Sequence, residues 1–111
     1  MRRSITAMLA VLLMSTSALA EDWVTHTDTI EKLDVWPSGS NAWAISIVPS
    51  TEPNAGCPDG FYIEQNSVNS SAAYSTLLTA FSMGLPVSIQ FKVSTALNDY
   101  CKANRIRLKA S

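Results

Sequence analysis

The stretch SSAAYSTLLTAFSMGLPVSIQFK, residues 70–92, contains a helix pattern and a strand pattern with a sharp boundary between them. Ser70 or Ser71 is expected to cap the helix by accepting a hydrogen bond from a free backbone N–H. Gly84 suits a left-handed C-cap, and Pro86 prevents the helix from continuing. Apolar residues at positions i, i+3, i+4 and i+7 predict one buried stripe, made of Tyr74, Leu77, Leu78 and Phe81.

Strand patterns lie on both sides of this helix. Apolar and polar residues alternate from Val87 to Val93, as in a half-buried strand. The other predicted strands are residues 30–36, 42–48, 61–64 and 105–109. Residues 21–29, which we call the leader, follow the predicted signal peptide and are expected to form a short strand or an arm. Residues 94–104 are expected to form a loop or turn. The predicted fold is mainly β with one helix, a five-stranded OB-fold barrel in the order strand, strand, strand, helix, strand, strand.

The N-terminus has the pattern of a secretory signal peptide. Arg2 and Arg3 precede a short apolar run, and Ala18-Leu19-Ala20 is a small-residue cleavage site. An uncleaved membrane anchor is the alternative, but the apolar run is shorter than a spanning helix needs. We therefore expect a signal peptide at residues 1–20 and a single OB-fold domain at residues 21–111. The mature chain is expected in the periplasm or outside the cell, with no membrane span after cleavage.

Charge and cysteine content narrow the function classes. Residues 1–20 hold two of the eight Lys and Arg and none of the nine Asp and Glu, so the remainder carries a net charge of −3. Such a domain is poorly suited to binding nucleic acid, which calls for a basic face. Cys57 and Cys101 are the only cysteines, and export to an oxidising compartment predicts a disulfide between them.

The junction between helix and strand resembles one family. The residues Ala73-Tyr74-Ser75-Thr76-Leu77-Leu78 and then Gly84-Leu85-Pro86-Val87-Ser88-Ile89-Gln90-Phe91-Lys92 look like the B subunits of AB-type bacterial toxins, in the subtilase-cytotoxin-like and typhoid-toxin-like branch. An acidic residue and Trp23 directly after the signal peptide also fit. The resemblance covers roughly a fifth to a quarter of the mature chain.

That resemblance implies an OB barrel, a ring of five identical subunits, an exported enzymatic subunit as partner and binding to cell-surface glycans. Phe91 stands where the family has a glycan-contacting tyrosine, and it offers no hydroxyl. Asp28 and Thr29 are the nearest matches to the family's N-terminal polar contacts. The cysteines stand at different positions from those of the family.

No motif for catalysis, metal binding or cofactor binding is present in the sequence. His26 is the only histidine and is expected to be exposed, with Asp28 near it by chance. Nothing matches a nucleophile elbow, a phosphate-binding loop or a metal-ligand spacing. We therefore expect a protein that is not an enzyme and has no cofactor.

Aromatic residues near turns are the remaining candidates for a ligand site. Trp36 precedes a turn and has Ser38 and Asn41 as polar neighbours, a setting that favours stacking on a sugar ring. The alternative is a Trp that packs at a subunit interface or against the protein's own surface. Trp43 is expected in the core. Lys102, Arg105, Arg107 and Lys109 are expected to form one charged face, either solvated or paired with an acidic neighbouring subunit.

The sequence thus leaves two function hypotheses. The first is a non-enzymatic exported binding protein, similar to a toxin B subunit, whose candidate ligand residues are Trp36, Ser38, Asn41, Asp28 and Thr29. The alternative is a periplasmic protein–protein interaction module without lectin activity.

Overall fold

The structure is a computed structural model that describes residues 22–37 and 42–109. The predicted signal peptide, residues 1–20, lies outside these ranges. Seven strands and one α-helix are present in the described part: β1 Val24–Asp28, β2 Ile30–Val35, β3 Trp43–Pro49, β4 Gly60–Glu64, α1 Ser70–Met83, β5 Val87–Phe91, β6 Tyr100–Lys102 and β7 Arg105–Leu108. A single 3₁₀ turn spans Val93–Thr95.

The strands form two sheets instead of the predicted barrel. One sheet has the order β1-β5-β7, and the other has the order β2-β3-β4-β6. All ladders are antiparallel except the one between β4 and β6. The prediction of a mainly β fold with one helix is confirmed, whereas five strands and barrel closure are wrong. Within the described residues, no ladder joins one sheet to the other.

The two additional strands explain the difference in strand count. β1 lies in the leader, where the strand alternative was the right one, and pairs with β5. β6 has only three residues and lies in the segment predicted to be a loop. Its pairing with β4 is parallel, and periodicity does not show a strand this short. The helix still lies between the third and fourth of the predicted strands.

The predicted disulfide is confirmed. Cys57 and Cys101 are bonded, with their Cα atoms 5.5 Å apart, and both side chains are fully buried. The bond ties β6 to the loop before β4. Gly60 opens β4 with φ of +139°, and a Cβ there would overlap the carbonyl oxygen of Ile47. Glycine is therefore needed for this close approach of β4 to β3.

The apolar layer between the sheets includes the helix. Inward residues of both sheets pack with Leu77 and Ala80; they include Ile45, Ile47, Phe61, Ile63, Val87, Ile89 and Phe91. The predicted helix stripe is therefore only half right. Leu77 is 0% exposed, whereas Leu78 is 41% and Phe81 is 43% exposed. The small Ala80 and Ala73 face the core in their place, which lets the helix approach closely.

The helix ends are also only partly as predicted. Gly84 adopts the left-handed conformation expected of a C-cap, and its N–H reaches the carbonyl groups of Ala80 and Phe81. The N-cap is Asn69, without a capping bond from its side chain, so the prediction of a Ser70 or Ser71 cap is wrong. Both serines lie inside the first turn.

Two residues connect the four-stranded sheet to the three-stranded one after β6. The N–H of Ala103 donates to the carbonyl of Tyr62 at 3.0 Å, and the N–H of Asn104 donates to the carbonyl of Gln90 at 2.8 Å. The two-residue connection is therefore bonded to one strand of each sheet.

Candidate functional site

The structure separates the ligand residues predicted from sequence. Trp36 follows the last residue of β2, whereas Asp28 and Thr29 precede its first residue. A six-residue strand is about 20 Å long, so these side chains lie far apart. Ser38 and Asn41 lie outside the described residues. The described candidates therefore belong to two regions.

Trp36 lines a shallow cavity at the start of the helix. The cavity holds about 200 Å³, and its other lining residues are Val35, Ala44, Ile45, Ser70, Ser71 and Tyr74. The indole is 40% exposed. Gln65 Nε2 donates to the Trp36 carbonyl at 2.9 Å and fixes the backbone there. An exposed indole beside two serines is a modest setting for a sugar ring.

Asp28 is occupied by bonds within the protein. Its Oδ2 accepts from the backbone N–H and from the hydroxyl of Thr51, both at 2.7 Å. Its Oδ1 accepts from the Thr29 N–H at 2.8 Å, and the Thr29 hydroxyl lies 2.7 Å from that of Ser50. These bonds hold the junction of β1 and β2 against the end of β3. Asp28 and Thr29 thus serve the fold.

The Asp28 pKa lies below its ordinary value. Burial raises it, but hydrogen bonds from the Thr51 hydroxyl, the Thr51 and Thr29 N–H groups and His26 outweigh that effect. The carboxylate therefore stays ionised well into the acid range.

His26 does not form a catalytic triad, although Asp28 and a hydroxyl lie beside it. Its Nε2 is 3.3 Å from Asp28 Oδ2 and 3.4 Å from Thr51 Oγ1. A triad histidine meets its carboxylate and its nucleophile through different ring nitrogens, whereas one nitrogen meets both here. The side chain is only 17% exposed, so the expectation of an exposed histidine with a chance neighbour is wrong.

The position matched by the family's glycan-contacting tyrosine is in the core. Phe91 is 0% exposed and packs edge-on against Phe61, with ring centroids 4.9 Å apart. A side chain at this position therefore contacts the apolar layer and no external ligand.

A second candidate region is the outer face of the three-stranded sheet. Strand pairing aligns two rows across it: Thr25, Gln90 and Arg105 form one row, and Thr27, Ser88 and Arg107 form the next. These six residues and Lys109 line a concave surface of about 180 Å³. We call these seven residues the basic face.

Hydrogen bonds orient the polar members of the basic face. The hydroxyls of Thr27 and Ser88 lie 2.7 Å apart. Gln90 Oε1 accepts from Asn104 Nδ2 at 2.8 Å, which leaves the Gln90 amide nitrogen as a donor toward the surface. The sheet therefore presents fixed donors beside the cations.

The cations of the basic face have no acidic partner among the described residues. The ion pairs of the described residues involve His26, Lys32 and Lys102, and none of them involves Arg105, Arg107 or Lys109. Arg105 and Arg107 are two positions apart on one strand, so their Cα atoms are about 7 Å apart. Like charges this close favour an anion between or above them. Guanidinium groups also bind carboxylates with two parallel hydrogen bonds.

Lys102 does not belong to this face, contrary to expectation. It lies on β6 in the other sheet, and its Nζ is 3.0 Å from Glu64 Oε1. The two-residue connection between β6 and β7 places Lys102 and Arg105 on different sheets. The single charged face predicted from the C-terminal sequence is therefore divided.

Sequence reasoning noticed the three cations but missed their neighbours. Ser88 and Gln90 are the polar positions of a clean alternation, so their outward orientation was predictable. Thr25 and Thr27 alternate in the same way in the leader. What the pattern did not reveal is that β1 and β7 flank β5, because strand order is a long-range property.

A groove of about 500 Å³ lies between the first half of α1 and the residues at the end of β6 and the start of β7. Its lining includes the apolar Ala72, Ala73 and Ile106 and the charged Lys102 and Arg105.

Within residues 22–37 and 42–109, no helix has the length and apolar character needed to cross a membrane.

No family model, no curated protein and no solved structure matches the chain.

Proposed function

We propose that this chain is an exported, non-enzymatic protein that binds acidic glycans through the basic face. The observation that carries the proposal is a set of three cations with no acidic partner within residues 22–37 and 42–109. They lie beside oriented hydroxyl and amide groups, on a chain with a net charge of −3 after residue 20. A sugar carboxylate would pair with Arg105 or Arg107. The sugar hydroxyls would bond to Thr25, Thr27, Ser88 and Gln90.

A sialylated trisaccharide and its neutral disaccharide core test this proposal by calorimetry. Arg107→Gln removes one cation without changing the strand pattern, and we expect it to weaken sialoside binding at least tenfold, roughly 1.4 kcal/mol. Lys32→Gln is the matched control, because it removes one exposed cation from the other sheet. Equal affinity of wild-type protein for both sugars, or equal loss in both variants, contradicts a carboxylate site at the basic face.

We further propose kinship with toxin B subunits, in an open arrangement of two sheets. The support is the junction at Gly84-Leu85-Pro86, with a helix before β5 and a left-handed cap at Gly84. This kinship implies a homo-oligomer, with five subunits as the family ring, and an exported enzymatic subunit as partner. Light scattering of the oxidised protein should give several times the mass of one chain, whereas a monomer at all concentrations contradicts the ring.

The signal-peptide pattern and the buried disulfide support export. We propose a periplasmic or secreted location, with cleavage after Ala20. Mass spectrometry of exported protein should find Glu21 as the first residue and the two cysteines bonded.

A protein-interaction module without lectin activity is the second candidate function. It is favoured by α1, where Leu78 and Phe81, three positions apart and so neighbours on the helix surface, are 41% and 43% exposed. Apolar side chains grouped on one helix are typical of contact surfaces. Co-purification with native envelope proteins that is lost in Leu78→Ser with Phe81→Ser, with sialoside binding absent from wild-type protein, favours this function over the first.

A further inference from the structure

The outer face of the four-stranded sheet carries an aromatic cluster that the functions proposed above do not use. The ring of Trp43 stacks on Tyr62, with centroids 5.0 Å apart and planes at 12°. It also meets Tyr100 at 5.0 Å and 55°. We call these three rings, with Asp34 and Glu64, the aromatic face.

A strand irregularity places Trp43 there. Trp43 pairs with Glu64, and Ile45 pairs with Ile63, so the register shifts between Trp43 and Ile45. This bulge turns Trp43 away from the core face of Ile45, to the side that holds Glu64 and Tyr62. The expectation that Trp43 is a core residue is therefore wrong. Bulges are common beside functional sites, where they change the direction of a side chain.

The rings are held in place by their surroundings. Tyr62 is 6% exposed, and its hydroxyl donates to the Thr95 carbonyl at 3.0 Å. Tyr100 follows a tight turn in which Asn98 and Asp99 both have positive φ, of 53° and 71°. Such a turn is found in hairpins and sets the direction of the next residue. Trp43 and Tyr100 stay half-buried, so part of each remains in contact with solvent.

Acidic and hydroxyl groups surround the rings. Asp34 accepts from the Ser46 hydroxyl at 3.4 Å, and Glu64 pairs with Lys102 at 3.0 Å. The Tyr100 pKa is raised, mainly by burial and further by the negative charges of Asp59 and Asp34. Its phenol thus stays protonated and able to donate a hydrogen bond.

This chemistry fits one ligand class. The C–H face of a pyranose packs on aromatic rings, while its hydroxyls donate to carboxylates and accept from phenols. The carboxylates Asp34, Asp59 and Glu64 outnumber the neighbouring lysines Lys32 and Lys102, so an acidic sugar would be repelled. A neutral sugar is not.

We propose that the aromatic face is a second, independent binding site, which binds a neutral hexopyranose by stacking it on Trp43 and Tyr100 with Asp34 as hydroxyl acceptor. The basic face plays no part in this site, so either site can fail without the other. The chain would then bind acidic and neutral sugars on different sheets.

The experiment is a ¹⁵N-detected titration of the whole mature chain with lactose and with maltose, following the three Trp indole N–H signals. We expect the Trp43 signal to shift with at least one sugar, while the Trp36 and Trp23 signals stay in place. Asp34→Asn keeps the shape of an exposed side chain, and we expect it to weaken binding about tenfold. Arg107→Gln is the control and should leave this titration unchanged.

Several outcomes overturn the proposal. They are a Trp43 signal that no neutral sugar shifts, a shift centred on Trp36, and a shift that Asp34→Asn leaves untouched. A further variant, Trp43→Ala, removes a packed ring. Its loss of neutral-sugar binding supports the proposal if thermal unfolding shows that the variant is folded. Failure of sialoside binding in the same preparation bears on the basic face alone.

Discussion

The outer faces of the two sheets use the same strand geometry but carry opposite chemistry. The three-stranded sheet presents Arg105, Arg107 and Lys109 beside hydroxyl groups, and the four-stranded sheet presents aromatic rings beside carboxylates. One apolar layer lies between them and serves both. The residue types at the outward positions of a strand can therefore differ while the inward positions contribute to the same apolar layer. Binding on one face should therefore be separable from binding on the other.

The largest expected effect is the loss of the disulfide, which bears mainly on the aromatic face. Cys57→Ser with Cys101→Ser frees β6, the strand that carries Tyr100, and should cost about 4 kcal/mol of unfolding free energy. Urea unfolding followed by fluorescence measures it. If the aromatic face depends on β6, the folded fraction of this variant loses more affinity for neutral sugars than for acidic ones, each compared with the wild-type protein. An equal loss on both faces argues against that dependence.

Truncation of the shared core should affect both faces. Leu77→Ala removes a side chain that is 0% exposed, and we expect a cost of about 3 kcal/mol. Leu78→Ala, one position along the helix, is the matched control and should cost under about 0.5 kcal/mol. Thermal unfolding of the two variants provides the measurement. Similar costs would mean that the stripe predicted from sequence, and not the observed face, is buried.

Salt should separate the faces by charge. Raising the ionic strength from about 0.1 M to about 1 M shortens the screening length from about 10 Å to about 3 Å. Sialoside binding at the basic face should then weaken about tenfold, roughly 1.4 kcal/mol, while binding of a neutral sugar should stay within about twofold. Calorimetry at both concentrations decides this. Equal sensitivity of the two ligands to salt contradicts the division.

The smallest effect concerns acid. The folded-state pKa of Asp28 lies below its unfolded value, so this carboxylate stabilises the fold above about pH 4 and loses that effect as the pH falls through the folded pKa. Asp28→Asn should cost about 1 kcal/mol at neutral pH through lost hydrogen bonds, and its melting temperature should depend less on pH in the acid range. Melting curves from about pH 6 to about pH 2 test the sign. A steeper acid dependence in the variant is the opposite outcome.

Local patterns predicted much of this fold and little of its surfaces. The C-terminal end of the helix followed from Gly84 and Pro86, and the strand Val87–Phe91 followed from alternation. β6 escaped prediction because its three residues are held by pairing and a disulfide. Trp43 was misplaced because its orientation depends on a bulge, which alternation does not reveal. Neither sheet face was predictable as a unit, since each combines side chains from strands distant in the chain.

The two-residue connection of Ala103 and Asn104 has a consequence for how this chain tolerates changes in length. Its backbone is hydrogen-bonded to Tyr62 on one side and to Gln90 on the other. An inserted residue would therefore break one of these bonds or shift the register of β7. Should β7 keep its pairing, a shift of one position would invert its alternation, exposing Ile106 and directing Arg105 and Arg107 into the apolar layer. The sign of charge on an entire surface is thus controlled by the length of one short joint.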